Sequence, residues 1–207
     1  MLTIKPITNK ILHITANTQQ ELNESFLRFS EYSESPEWKG KIFTLGQYRK
    51  WYAETSGAFS YLTDWSGFNI TNESITPFIQ GLFDPLTPNE EQIVKWFRDR
   101  TDTYSVIGAQ PDGKCLEHEI CHALWATEPK YKELCQEVVK KIDKSSVGIL
   151  CAWLTKIGYN ESVHDDEVHA YISADRDWLM EKHGIFINQD TQTQLIEIKK
   201  QFYQTKR

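Results

Sequence analysis

Residues 115–125 read CLEHEICHALW. Inside this stretch His118 and His122 stand four apart, and Glu119 directly follows the first histidine. Residues four apart share one face of a helix, so both imidazoles can present a nitrogen to a single ion. Glu119 sits one step round, where its carboxylate reaches water on a metal rather than the metal itself. Zinc lowers the pKa of such water, and a glutamate placed there takes the proton as the water attacks a carbonyl. The plainer reading is a helix carrying two solvent-facing histidines. The setting favours the metal: Ile120, Ala123 and Leu124 supply an apolar opposite face, and the motif follows a β-branched, aromatic run (TYSVIGA, 103–109) and turn residues (QPDGK, 110–114). Strand, turn and ligand-bearing helix in that order make α+β the expected class, with a small mixed sheet and a mostly helical C-terminal half.

Working outward, the motif helix should stop at Pro129. Further helices are expected over YKELCQEVVKKID and over SVGILCAWLTKI, the latter ended by Gly158. Another should run from Glu161 to His183 with Gly184 as its terminator, and the tail DTQTQLIEIKKQFYQTKR should be a last amphipathic helix. Upstream, Ile11 to Thr15 reads as a strand, and Thr18 as the cap of a helix through QQELNESFLRFSEYS. Thr44 with Gln47 forms a capping box, as does Thr87 with Glu90, whose helix should reach about Asp99. Thr76-Pro77 and Thr87-Pro88 both read as helix starts. The aromatic, glycine-broken run GAFSYLTDWSGFNI reads as strand or ordered loop. At 207 residues the chain suits one domain, with an N-terminal subdomain 1–100 and a helical half 101–207 as the candidate division. No linker-like stretch marks that division.

Composition narrows the function classes. The net charge of -6 offers no basic stripe for nucleic acid. No apolar run approaches the roughly 20 residues that span a bilayer. The N-terminus, MLTIKPITNKILHITAN, lacks an apolar signal region, so a cytoplasmic chain is expected, with signal-independent export left open. The three N-x-S sequons, at Asn23, Asn72 and Asn160, then carry little weight. Cys115, Cys121, Cys135 and Cys151 form no C-x-x-C pair and read as reduced thiols; Cys121, inside the motif, reads as a buried packing residue. His13 and His183 read as structural or exposed. Trp65 and Phe68 read as aromatic core rather than cleft.

The motif resembles that of the zincin metallopeptidases, which carry H-E-x-x-H on an active-site helix beside a sheet. The resemblance covers the motif, the strand before it and the helices after it. It implies zinc on His118 and His122, Glu119 as general base, and hydrolysis of a peptide or protein substrate. The run HEICHALWATEPKYK with the later DDEVHAY is also similar to some uncharacterised bacterial zincin-like proteins, a likeness that names no activity.

A catalytic zinc takes three protein ligands and keeps one position open. In the metzincin pattern the third ligand follows the second histidine by six residues, a place held here by Glu128. The glycine that turns the metzincin chain is replaced by Trp125, so the helix should continue and carry Glu128 away. The gluzincin route takes a glutamate from a separate helix. The segment HDDEVHAYISAD offers Glu167, with Tyr171 four residues on and His164 three before it on the same face. Glu167 is the favoured third ligand, ahead of Glu128, His164 and His169. Tyr171 or His164 would donate a hydrogen bond to the oxyanion. The commonest gluzincin pattern has an aspartate where Tyr171 stands, so support for a zinc histidine falls to Asp165, Asp166 or Asp175. The bland reading of this segment is a solvated acidic helix face. Two other functions stay open: a zinc hydrolase of a small amide or ester, and a non-catalytic zincin-fold binding or regulatory protein.

Overall fold

The computed structural model describes residues 1–111, 113, 115–157 and 159–203. Thr3–Pro6 (β1) and Ile11–Thr15 (β2) pair as an antiparallel hairpin, with Thr3 opposite Thr15 and Pro6 opposite Leu12. Thr18 then opens Gln19–Glu34 (α1), its side chain accepting the Glu21 N–H at 3.1 Å. This helix buries Leu22, Phe26, Leu27 and Phe29. The Thr44–Gln47 capping box opens Leu45–Ser56 (α2), closed by Gly57 at φ 82°. A short helix, Tyr61–Asp64 (α3), and a strand, Gly67–Thr71 (β3), divide the aromatic run between them.

The next helix corrects the sequence expectation. Asn72–Ile79 (α4) starts five residues before Pro77, which lies inside it. The N-terminal signal is Thr71, whose N–H donates to Ser74 Oγ at 3.3 Å. Proline costs this helix one internal hydrogen bond. Burial of Ile75 and Phe78 on either side offsets that loss. Pro88–Phe97 (α5) follows from the Thr87–Glu90 box, two residues shorter than expected, and Ser105–Ala109 (β4) closes the sheet-bearing part.

The four strands lie in the order β1-β2-β4-β3. β2 and β4 are parallel, with Ile11 opposite Ser105, and β3 runs antiparallel to β4. Every residue of β4 is buried. Gly108 shows why α1 lies close: a Cβ there would meet the Phe26 ring at 2.7 Å. Arg28 and Glu90 join α1 to α5 through a buried two-pronged pair, Nε–Oε1 2.7 Å and Nη2–Oε2 2.6 Å.

Contacts divide the chain into two units, Met1–Leu116 and Glu117–Arg207. The second is helical. Leu116–Thr127 (α6) carries the histidine motif, which lies wholly in the second unit, and Pro129–Val139 (α7) begins two residues later. Lys144–Lys156 (α8) is capped by Asp143, which accepts the Ser146 N–H at 3.0 Å. A single 3-10 turn, Glu161–Val163, leads into His164–His183 (α9), which Gly184 ends at φ 64°. Gln189–Phe202 (α10) packs on α7 and α9. The expected stop at Gly158, Asp112 and Lys114 of the expected turn, and the last four residues of the tail lie outside the described residues. The architecture is thus α+β, with a small mixed sheet and a mostly helical C-terminal half. Among the described residues no helix is long and apolar enough to cross a membrane.

Candidate metal centre

Two helices of the second unit build the site. On α6, His118, His122 and Trp125 recur at spacings of four and three and so form one stripe. On α9, Glu167, Tyr171 and Asp175 recur at spacings of four and form another. Among the described residues, ligand atoms of His118, His122 and Glu167 all lie within 4.8 Å of one another. The Nε2 atoms of His118 and His122 are 2.9 Å apart. Glu167 Oε2 lies 3.7 Å from the first and Oε1 3.6 Å from the second. Ligands of a tetrahedral ion bound at about 2 Å stand roughly 3.3 Å apart, so these separations fit.

The far side of each imidazole fixes its chemistry. His118 Nδ1 meets Asp175 Oδ2 at 2.7 Å, and His122 Nδ1 meets Asp166 Oδ1 at 2.8 Å. A carboxylate accepts, so each Nδ1 carries the proton and each Nε2 presents a lone pair. Glu167 adds carboxylate oxygens, of which Oε2 is buried with no hydrogen-bond partner. Three electron-pair donors therefore converge with no proton assigned between them. Such a group is costly unless a cation or an extra proton occupies it.

The titration behaviour reports the same demand for positive charge. Burial works to lower the His118 pKa, but the hydrogen bond to Asp175 and the nearby Glu167 carboxylate outweigh it and push the value up to about 9. Burial likewise opposes charge on His122, and the Asp166 and Glu167 carboxylates again win, raising it well above the ordinary imidazole value.

Glu119 is half-buried beside His118. Burial raises its carboxyl above the ordinary range, while the two histidines pull it down. The Tyr171 ring sits edge-on to His118 with centroids 4.6 Å apart. Burial, with the Glu167 charge next, pushes its phenol pKa up, which keeps it a neutral hydrogen-bond donor.

The other candidates fall outside the three-residue group. Glu128 caps α7 in an extended conformation, φ -126° and ψ 90°. His164 faces Thr155 Oγ1 at 3.4 Å. His169 is fully buried, stacks on Trp125 at 4.5 Å, and points Nδ1 at the Asp166 carbonyl oxygen. Burial lowers its pKa to about 4, so it is neutral. Asp165 faces Gln136 Nε2 at 3.4 Å. Cys121 is buried, its thiol directed to the Glu117 carbonyl at 3.3 Å.

In the first unit His13 bonds the Ala109 carbonyl at 2.8 Å. Phe68 is buried against Phe26, whereas Trp65 is exposed. His183 is exposed and packs on Trp153 and Trp178. A concavity of about 400 Å³ in the helical unit is lined by Val139, Lys140, Ile142, Val147 and Asp165, and by none of the three candidate ligands.

Sequence spacing alone left three aspartates equal. The fold separates them: Asp166 serves His122, Asp175 serves His118, and Asp165 serves neither. Nothing local marks Asp175 for this, because its partner is set by how α9 lies on α6. The rings of Trp153 and Trp178 beside Tyr171 also escaped sequence reading, since each looks like ordinary core in its own helix.

Comparison with protein-family models finds no match, and comparison with curated proteins and with solved structures finds no significant one.

Proposed function

We propose that the chain is a zinc-dependent hydrolase that cleaves peptide bonds, with His118, His122 and Glu167 as the ligands and Glu119 as the general base. The observation that carries this reading is the convergence of His118, His122 and Glu167 to within 4.8 Å, each histidine backed by its own aspartate. Carboxylate-backed histidines are what metal centres use to fix the tautomer and strengthen the donor atom. When bound there, zinc supplies Lewis acidity that makes water acidic and polarises a carbonyl.

The chain's own groups divide the remaining work. Asp166 and Asp175 hold Nδ1–H on the two imidazoles, which keeps both Nε2 lone pairs pointing inward. Glu119 takes the proton of the attacking water and hands it to the leaving amine. Its raised pKa suits that exchange, because a base titrating nearer neutrality both accepts and returns a proton readily. Tyr171 stands against His118 and is placed to donate to the oxygen that gains charge. A peptide substrate, rather than a small amide or ester, is favoured because His118, Glu119 and His122 are half-buried rather than sealed in the interior, so an extended chain can reach them.

The test begins with metal. Protein purified without added metal should contain about one zinc per chain by elemental analysis, and His122→Ala should lose most of it. Zinc-loaded protein should then cut a peptide library. Metal content indifferent to His122→Ala rules the centre out.

A further inference from the structure

We infer that Tyr171, Trp153 and Trp178 form a substrate subsite that takes an uncharged aromatic side chain next to the bond being cleaved. This inference rests on the proposed hydrolytic reading. The rings run from a candidate ligand to solvent, where the His183 imidazole packs on Trp153 and Trp178 at 4.7 and 4.6 Å. Tyr171 touches His118 at 4.6 Å and 75°, then Trp153 at 5.2 Å and 83°. Trp178 stacks along Tyr171 at 6.2 Å and 18°, and meets Trp153 at 5.8 Å. Two helices supply them, α8 for Trp153 and α9 for the others.

Burial separates this wall from a piece of core. On the other side of α9, Ile172 and Leu179 are completely buried, whereas Trp178 keeps 43% of its surface in water and Tyr171 and Trp153 are half-buried. A single exposed tryptophan is unremarkable by itself. Here the exposed ring is joined to two more and through them to His118, so the wall lies beside any substrate held at the centre.

Charge narrows the occupant. Glu167 and Asp175 lie on the same helix face as Tyr171, and Asp177 is exposed next to Trp178. An acidic side chain would be repelled there. The rings contact one another, so the wall offers one open face at Trp178 rather than the cage of separate faces that holds a cation best. A flat, neutral ring laid against the wall gains offset or edge-on stacking and covers the exposed face of Trp178. Exposed Ile149, four residues before Trp153 on α8, and exposed Ile157, at the C-cap four residues after it, make a second copy of the chain the competing occupant.

The probes are L-phenylalanine hydroxamate and L-alanine hydroxamate, which share a metal-chelating group and differ by one ring. Zinc content of the full-length protein is measured first, and both compounds are then titrated calorimetrically into the zinc-loaded form. The phenylalanine compound should bind at least about tenfold more tightly. Trp178→Ala should bring that ratio close to one with zinc content intact, and Trp178→Phe should restore much of it.

Zinc-loaded protein that binds both compounds equally overturns the subsite and leaves the metal centre standing. A preference that survives Trp178→Ala does the same. Failure to load zinc removes the centre and the subsite together. A dimer in sedimentation that Trp178→Ala dissociates assigns the wall to a second copy and overturns the proposal.

Discussion

Asp175 reaches His118 Nδ1 at 2.7 Å from the one residue where α9 leaves helical geometry, with φ -124° and ψ 17°. The departure and the contact belong together. Asp175 lies two turns beyond Glu167 on the same helix face, and both must meet one imidazole from opposite sides. Glu167 faces Nε2 while Asp175 takes Nδ1.

On the proposed reading, removing that support should loosen the metal without unfolding the helix. Asp175→Ala is expected to weaken zinc binding by about 10- to 100-fold, the usual cost of losing an outer-shell carboxylate. Asp177→Ala, at an exposed position two residues on, should change it little. A competition titration with a chromogenic chelator measures both. Equal affinities for the two variants would mean that Asp175 does not support the ion through His118.

The third ligand of the proposed centre is Glu167 on α9 rather than Glu128, the cap of α7. Glu167→Ala should raise the zinc dissociation constant strongly, and Glu128→Ala should leave it near wild type. Glu128 begins α7, beyond the end of α6, and takes no part in the three-residue group. The reverse order of effects in the same titration would move the ligand set to the end of α6.

Glu119→Gln keeps the size of the side chain and removes its basicity. Zinc content should hold at the wild-type level while turnover falls at least about a hundredfold, within the range general-base catalysis contributes. Undiminished cleavage by the glutamine variant would assign proton transfer to another group.

Glu31 gives the first unit a pH dependence of its own. It is 9% exposed, and burial raises its pKa above the ordinary 4.5 despite the nearby hydroxyls of Ser35, Tyr48 and Tyr61, which lower it. A carboxyl raised in the folded state stabilises that state fully below 4.5 and loses the contribution as pH climbs through the folded value. Glu31→Gln, a mimic of the protonated form, should therefore gain thermal stability relative to wild type at pH 8 more than at pH 4. A difference in melting temperature that is constant with pH counts against the buried carboxyl as its source.

Gly108→Ala tests the closeness of α1 to the sheet. The new methyl would stand 2.7 Å from the Phe26 ring, so the strand or the ring must shift. Overpacking of this kind costs about 1–3 kcal/mol. Adding Phe26→Leu should recover part of that loss, a non-additivity that chemical denaturation of the two single variants and the double variant would reveal.

Local chemistry made much of the fold readable in advance. Thr18, Thr44 and Thr87 announce their helices because a hydroxyl three residues ahead of an open N–H is a short-range device. The strand Ile11–Thr15 and the motif helix were legible for similar reasons. The strand Thr3–Pro6 was not: it lies at an edge, largely exposed, and ends in proline, so it shows no alternation to read. Pro77 misled because proline usually begins a helix, whereas here Thr71 and Ser74 had already begun it. In the candidate site, the spacing of His118, Glu119 and His122 and the clustering around Glu167 were visible, since both depend on neighbours within a helix turn. Which aspartate served which histidine depended on the approach of α9 to α6, and no local pattern carries that.

The two candidate histidines and Glu167 lie far apart along the chain, with α7 and α8 between them. An ion shared by His122 and Glu167 is therefore also a cross-link, closing a long loop much as a disulfide would. The unfolded chain loses the freedom to open that loop only while the ion stays attached. Metal removal should then lower the melting temperature of the helical unit specifically, and the same three side chains proposed for chemistry would also serve as its staple.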